Sequence, residues 1–393
     1  MILRRIVLRE GNFLVDGRFQ LCDVRIVGST IAEVSTQIKP SKNEVVVSLE
    51  GLHVLPGLIN SHDHLELNVF PRLGHPPYSS YVEWADDIQK SYLREIKSIV
   101  QIPLRYRLLW GAYKNIFSGV TTVVHHNPYY WQFRYAYPLE VYHPYSWIHS
   151  LKLEKRDLKK LLTRISSKQF IHLAEGINAA SSSELKELWA LNGLSDRTVV
   201  IHGVALTDED IELMSSVGCG FVWCPVSNIY LFQKTAPVEK MLGKIPLALG
   251  SDSTLTGSVS FFDEMRAAKN AKQLDSQCIL DLATSSAARL LKVNKGEIRR
   301  GAFADLLVFE TEQSDPFEDS LCLSAKRVKC LWKNGSPIFG DFDLGSPALL
   351  RTKTFTTVNI QGSRKFVTGD FPGLINKIRT YSPIVDLPQI CPQ

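Results

Sequence analysis

Between Pro56 and about Val293, short apolar runs alternate with longer amphipathic stretches, and few folds accommodate that grammar. GVTTVV, FIHLA, TVVIHG, GCGFVWC and IPLALGS have the β-branched and aromatic character of strands. SSSELKELWALN, DEDIELMSSV and SFFDEMRAAKNAKQL read as helices. Strands alternating with helices predict a parallel sheet or barrel. The zone is roughly 240 residues long, close to the ~250 of a (β/α)8 barrel.

The flanks follow a different pattern. From Met1 to about Leu55, RRIVLRE, GNFLVDGRF, CDVRIVGSTIAEVS and NEVVVSLEGLHVL alternate apolar and polar residues, with Gly, Asp and Asn at the turns. This predicts a small antiparallel β domain. GEIRRGAFADLLVFE and AKRVKCLWKNGSPIF return to short strands and complete that domain, so residues 1–55 and 294–345 are expected to form one unit around a barrel of residues 56–293. The segment 346–393, rich in Thr, Ser, Pro and Gly, suggests no role. One wall of the barrel departs from regularity: between His126 and Lys168 lies an aromatic-rich stretch with one obvious helix. Seven strands are clear, and the eighth is placed at PLEVY or YSWIHS, so a distorted barrel is expected.

Composition narrows the function classes. The net charge of +5 comes from 45 basic and 40 acidic residues spread along the chain. Lys152 to Lys160 and Lys326 to Lys333 are short and interleaved with acidic or apolar residues, so neither a nucleic-acid nor a membrane-surface partner is expected. Seven scattered cysteines without a C-x-x-C pair argue against a disulfide framework or a thiolate zinc site, and a reducing, cytoplasmic location is expected. No stretch has the length of a signal-peptide core or a membrane span.

The chemistry-bearing residues sit at strand ends. His62 and His64 follow VLPGLIN, and strand alternation points both imidazoles to one face. His172 ends KQFIH, His202 ends RTVVIH, and Asp252 ends PLALGSD. Singly, each histidine reads as a satisfied core residue and Asp252 as a turn or cap residue. Jointly, four strands finish in the order H-x-H, H, H, D, and barrel enzymes place catalytic residues at those ends. Imidazole and carboxylate are ligand types that suit zinc, so the pattern predicts a metal site.

GLHVLPGLINSHDHLELN resembles the first-strand motif of the amidohydrolase superfamily. FIHLAEG, VIHGVALTDEDIELM, FVWCPVSNIYLF and LALGSDS are similar to later strands of its deaminase and chlorohydrolase branch, and GEIRRGAFADLLVFE to its closing segment. The resemblance covers roughly residues 1–340 and implies a (β/α)8 barrel flanked by a β-sandwich built from both termini. It implies one divalent ion on His62, His64, His172 and Asp252, zinc by preference and iron as the alternative. His202 would contact the ion's water or the substrate, and Glu175 would be the acid/base that shuttles a proton to the leaving or ring nitrogen. A bound zinc ion lowers the pKa of its water from 15.7 to about 7, supplying hydroxide at neutral pH.

The implied reaction is hydrolytic deamination of a small-molecule nitrogen heterocycle, with cyclic-amide hydrolysis and dechlorination as alternatives at the same site. A non-catalytic barrel used for binding is the reading from a different class. The family also implies a homodimer. Further substrate contacts are expected among Glu66, Arg72, Trp84, His125 and Asn228. Trp84 is a lid aromatic or core, Glu66 and Arg72 line the pocket or form surface pairs, and Asn228 contacts the site or orients a loop. Of His125 and His126, one faces the barrel and the other its surroundings. A two-metal site would need a carboxylated lysine, for which Lys152 is the candidate, although LKLEKRDLKK reads as a helix start.

Overall fold

Arg5–Val15 (β1) turns at Asp16 and Gly17, both with positive φ, into the antiparallel Arg18–Val27 (β2). This two-residue turn matches the twist of the strands it joins. Thr30–Ser35 (β3) continues the meander, while Val45–Ser48 (β4) and Leu52–Pro56 (β5) lie parallel to β1. The computed structural model describes residues 4–135, 137–154, 158, 162, 167–272, 274–344 and 354–382.

After β5 the chain changes architecture. Leu58–Asp63 (β6) is followed by three helices, Tyr81–Ser91 (α1), Leu93–Val100 (α2) and Leu104–Ile116 (α3). Val120–His125 (β7) and Glu140–Val141 (β8) complete a three-stranded parallel sheet. Tyr145–Ile148 (β9) and Lys168–Leu173 (β10) open a second parallel sheet. Helix Ala179–Ala190 (α4), strand Thr198–His202 (β11) and helix Asp208–Val217 (α5) come next. Strand Gly220–Trp223 (β12), helix Pro225–Phe232 (α6) and strand Leu247–Leu249 (β13) finish this sheet, ordered β13-β12-β11-β10-β9.

Both segments suggested for the irregular wall are thus short strands, β8 and β9. The helix expected from Lys152 falls mostly outside the described residues.

Interior residues of these strands, such as Phe170, Ile171, Val199, Val200 and Ile201, are fully buried. That explains their continuous rather than alternating apolar runs, since parallel sheets are covered on both faces. The helix ends carry local signals. Thr207 and Asp210 form a reciprocal capping box at α5, and Gly218 closes that helix at φ 74°. Pro225 occupies the first turn of α6, where no amide donor is needed.

The two parallel sheets meet at two seams. On one side the His62 carbonyl accepts the N–H groups of Ser251 and Asp252, each at 3.0 Å. On the other, His126 Nε2 lies 3.1 Å from the Ile148 carbonyl oxygen.

Helices Phe261–Lys272 (α7), Ser276–Leu282 (α8) and Ser285–Leu291 (α9) lead back to the first sheet. Leu306–Glu310 (β14) pairs antiparallel with β5, Leu306 opposite Pro56 and Glu310 opposite Leu52. Helix Pro316–Leu321 (α10) precedes Val328–Lys333 (β15) and Ser336–Asp341 (β16). Strands Phe355–Ile360 (β17) and Ser363–Thr368 (β18) extend the sheet, and helix Phe371–Tyr381 (α11) follows. The result is one ten-stranded sheet drawn from both ends of the chain. Lys295 ties it to the parallel strands through Asp305 at 2.8 Å and Glu140 at 2.9 Å. Residues beyond 354, for which the sequence suggested no role, bury Phe366 and Val367 in the sheet and pack Phe371 on Tyr113 and Phe117 of the α3 end. Among the described residues no helix is long and apolar enough to cross a membrane.

Candidate metal centre

The C-terminal ends of β6, β10, β11 and β13 converge. His62 Nε2 and His64 Nε2 each lie 3.7 Å from Asp252 Oδ1, and His172 Nε2 lies 3.2 Å from His62 Nε2. Rings of His62 and His172 are 4.9 Å apart, and those of His172 and His202 5.0 Å. Local backbone geometry builds this convergence. A Cβ on Gly250 would stand 2.7 Å from that of His62, so only glycine lets β13 approach β6 this closely. Ala174, His202 and Asp252 hold φ values of 53°, 73° and 55°. Left-handed backbone costs about 1–2 kcal/mol for a non-glycine residue and clusters at functional sites.

Electrostatics favours metal-binding protonation states. Burial first, and crowding by neighbouring imidazoles second, holds His62, His126 and His172 far below the ordinary histidine value. Burial likewise pulls His64 down to about 4. All four therefore offer lone pairs at neutral pH, the form in which imidazole ligates. Burial opposes ionisation of Asp252. The His64 and His202 rings, the Ser253 N–H and the Thr256 hydroxyl outweigh it and hold the carboxyl below its usual range. Two imidazole nitrogens 3.2 Å apart are mutually repulsive as lone pairs unless one carries a proton or both face a cation. Imidazoles facing a carboxylate at this spacing fit a divalent ion of the zinc or iron kind.

Around this set stands a second layer of side chains. Asp252 Oδ2 accepts from Ser227 Oγ and Thr256 Oγ1, both at 2.9 Å, which leaves Oδ1 toward the histidines. Asn228 Nδ2 donates to the His202 carbonyl at 3.1 Å, so its Oδ1, 3.0 Å from His202 Nδ1, must accept. His202 thus carries its proton on Nδ1 and a lone pair on Nε2. That Nε2 is 3.6 Å from Glu175 Oε1. Burial, with the Asp252 and Glu184 carboxylates adding, raises Glu175 well above the usual carboxyl range. Glu184 fixes the backbone beside it by accepting the Ala174 N–H at 2.7 Å.

Beneath the cluster Lys114 is enclosed. Its Nζ donates to Asp63 Oδ2 at 3.2 Å, Ser251 Oγ at 2.9 Å and the Asp252 carbonyl at 3.3 Å. Asn60, Asn68 and Asn115 donate their side-chain amides to the same Asp63 carboxylate.

Of the residues singled out in the sequence, His62, His64, His172, His202, Glu175, Asp252 and Asn228 come together. The others do not. His125 turns away from the cluster: its Nδ1 accepts the Leu65 N–H at 3.3 Å, its Nε2 faces Glu66 at 3.6 Å, and it packs on Phe133. The adjacent His126, on the opposite side of the strand, joins the cluster instead, its ring 4.2 Å from that of His172. Glu66 accepts from Asn127 at 2.5 Å, and that amide is 3.5 Å from His64 Nδ1, so Glu66 stands behind a histidine. Burial raises Glu66 to about 7. Arg72 donates to the Gly257 carbonyl at 2.8 Å and lies over the Tyr230 ring. Trp84 donates to the Leu73 carbonyl at 2.9 Å and packs with Tyr78 and Phe232. Lys152 faces Glu184 at 4.0 Å, and His149 occupies the strand end nearest the cluster.

Residues 149–339 match the family model described as the amidohydrolase family. That match takes in 191 of the 393 residues, just under half of the chain. The chain is a hydrolase of carbon–nitrogen bonds other than peptide bonds. This amidohydrolase is 25% identical over 377 aligned positions to a 5-methylthioadenosine/S-adenosylhomocysteine deaminase of Pyrococcus horikoshii, covering 79% of this chain and 87% of that one. It is 22% identical over 368 positions to a 5'-deoxyadenosine deaminase of Methanosphaera stadtmanae, covering 77% and 84%. Its fold is shared with a triazine hydrolase variant (TM-score 0.77, 17% identity, 97% of this chain and all of that one). It is shared also with an adenosine deaminase from Xanthomonas campestris with bound zinc (TM-score 0.69, 18% identity, 96% and 97%).

Proposed function

We propose that this amidohydrolase deaminates a nitrogen heterocycle hydrolytically, with His62, His64, His172 and Asp252 holding one divalent ion, zinc by preference. The convergence of three neutral imidazoles on one carboxylate, with a proton-carrying Glu175 alongside, supports the reading. The two parallel sheets with bridged seams support a (β/α)8 barrel, and the ten-stranded sheet a β-sandwich built from both termini. Named relatives that deaminate adenosine derivatives direct the substrate search toward purine nucleosides.

When bound, the ion supplies an acidified water and polarises the electrophilic carbon. Asp252, its Oδ2 tied by two hydroxyls, would hold the ion through Oδ1, whose second lone pair would accept a hydrogen bond from the attacking water. His202, with its lone pair on Nε2, accepts a hydrogen bond from the same water or from Glu175. Glu175, protonated by its burial, gives its proton to a ring nitrogen and recovers one from water. It then passes that proton to the departing amine, which leaves as ammonia, and takes back the proton of the carbon-bound hydroxyl as the carbonyl forms, so that Glu175 ends protonated as it began. General acid–base transfer of this kind contributes about 10²–10⁴-fold.

The first test is elemental analysis of the purified protein and of a His62→Ala/Asp252→Ala variant, followed by ammonia release from a panel of heterocyclic amines. One ion per chain, lost in the double variant, is expected. A metal-free protein that resists reconstitution leaves a binding barrel instead. Chloride or a ring-opened acid formed without ammonia moves the assignment to dechlorination or cyclic-amide hydrolysis. Glu175→Gln should keep the ion and lose at least about a hundredfold in turnover. Near-normal turnover in that variant overturns its proton-transfer role.

A further inference from the structure

Pro225 opens helix α6 without an N–H, and Cys224 before it gives the helix no side-chain cap. The next donor, the Val226 N–H, is taken instead by Glu264 of α7, whose Oε2 accepts it at 3.1 Å. Glu264 Oε1 accepts the Ser258 N–H, also at 3.1 Å, from the loop that follows β13. One fully buried carboxyl therefore grips the start of α6 and that loop together. It satisfies an orphan amide that the helix itself cannot. The two gripped segments carry the hydroxyls on Asp252: Ser227 follows Val226, and Thr256 lies two residues before Ser258. Their hydroxyl oxygens are 2.8 Å apart, so the segments meet at Asp252. Asn228, one residue further along α6, sets the proton of His202. Asp252 and His202 both hold left-handed backbone, at φ 55° and 73°. Such conformations persist only where the surroundings over-determine them.

We propose that Glu264 is a positioning residue for the ion-binding centre, setting Asp252 and His202 through helix α6 and the loop after β13. It acts through these side chains rather than at the ion. The inference rests on the reading in which Asp252 holds the ion and His202 faces the water. With both Glu264 oxygens engaged, α6 and the loop keep one spacing, and the Ser227 and Thr256 hydroxyls reach Asp252 Oδ2 together. A glutamine has one accepting oxygen and one donating nitrogen. It can hold only one of the two N–H groups and turns a donor toward the other. The two segments then part, Asp252 Oδ2 loses a hydroxyl, and Oδ1 is no longer held toward the histidines. Asn228 moves with α6, so His202 loses the partner that keeps its proton on Nδ1.

The test compares Glu264→Gln with Phe262→Leu, which loosens the same helix from a fully buried position without touching the clamp. Chelator competition gives the zinc affinity, and cobalt(II) absorption reports the geometry around the ion. In metal-free protein with histidine labelled at the ring nitrogens, the His202 signals, assigned by their loss in His202→Gln, report its tautomer. Glu264→Gln should weaken zinc about tenfold, the low end of what losing a ligand's hydrogen-bond partner costs. It should also alter the cobalt absorption and reduce the Nδ1–H form of His202. Phe262→Leu should lower the urea midpoint and leave all three readings as in wild type. In a Ser227→Ala/Thr256→Ala background, Glu264→Gln should cost little further affinity, because that route is already cut. Wild-type readings in Glu264→Gln overturn the proposal, as do equal losses in Phe262→Leu or an undiminished loss in the Ser227→Ala/Thr256→Ala background. A wild type that binds no ion refutes the metal reading instead. The His202 tautomer then decides the clamp alone: a change in Glu264→Gln upholds it, and no change overturns it.

Discussion

Replacing Lys114 by methionine removes the ammonium from the ion pair beneath the cluster while keeping most of the side-chain volume. Lys114 is 1% exposed and Asp63 is fully buried, so water cannot replace the lost charge. Breaking a buried pair by removing one partner costs about 3–5 kcal/mol, because the other charge is left uncompensated. Asp63 keeps the amide donors of Asn60, Asn68 and Asn115, which places the expected loss at the low end, about 3 kcal/mol. That is roughly a 150-fold change in the folding equilibrium. Urea unfolding of the metal-free protein, followed by tryptophan fluorescence, measures it. Adding Asp63→Asn should restore part of the stability, giving a coupling of about 0.5–3 kcal/mol in the double-mutant cycle. A loss below about 1 kcal/mol, the range of exposed pairs, or strict additivity with Asp63→Asn, would refute the argument.

Three further outcomes follow from the same geometry. Asn127→Ala separates His64 from Glu66 and should weaken metal affinity about 10–100-fold in chelator competition, with unchanged urea unfolding of the metal-free protein. Gly250→Ala forces a Cβ to within 2.7 Å of that of His62 and should cost about 1–3 kcal/mol together with metal content, read by unfolding and elemental analysis. Burial raises the Glu264 carboxyl from 4.5 to about 8, although the Val226 and Ser258 N–H groups donate to it. Its contribution to stability is thus fully present below 4.5 and lost as pH rises through about 8. Glu264→Gln should flatten that decline in urea midpoints across the same window, and an unchanged slope removes Glu264 as its source.

What the sequence makes legible here depends on the range of the signal. The H-x-H spacing of His62 and His64 fixes a shared face through strand alternation alone, and short apolar runs mark where β10, β11 and β13 end. The neighbouring pair His125 and His126 lacks that guide. Alternation separates them, but which one faces inward depends on how β7 pairs with β6, a contact across some sixty residues of sequence. Lys114 sits in a helix of mixed character, YRLLWGAYKNIF, where a lysine reads as solvated. Its burial follows from Asp63 and Ser251, which arrive from two distant strands. Strands β17 and β18 escape notice for a similar reason: FTTVNI and SRKFVT bury residues only once β16 supplies an edge. Trp84 and Arg72 carry the side chains of a pocket, yet backbone carbonyls from nearby turns claim their polar groups.

The pairing of β5 with β14 has a consequence for synthesis of the chain. Pro56 leaves the ribosome about 250 residues before its partner Leu306. At roughly 5–20 residues per second, that interval is on the order of ten seconds to a minute. Throughout it one edge of β5 lacks its partner, and an open strand edge is a template for another chain. The nascent protein must therefore hold an incomplete half-sheet while the intervening strands assemble. Slow translation or early truncation before Leu306 should favour aggregation over simple loss of activity.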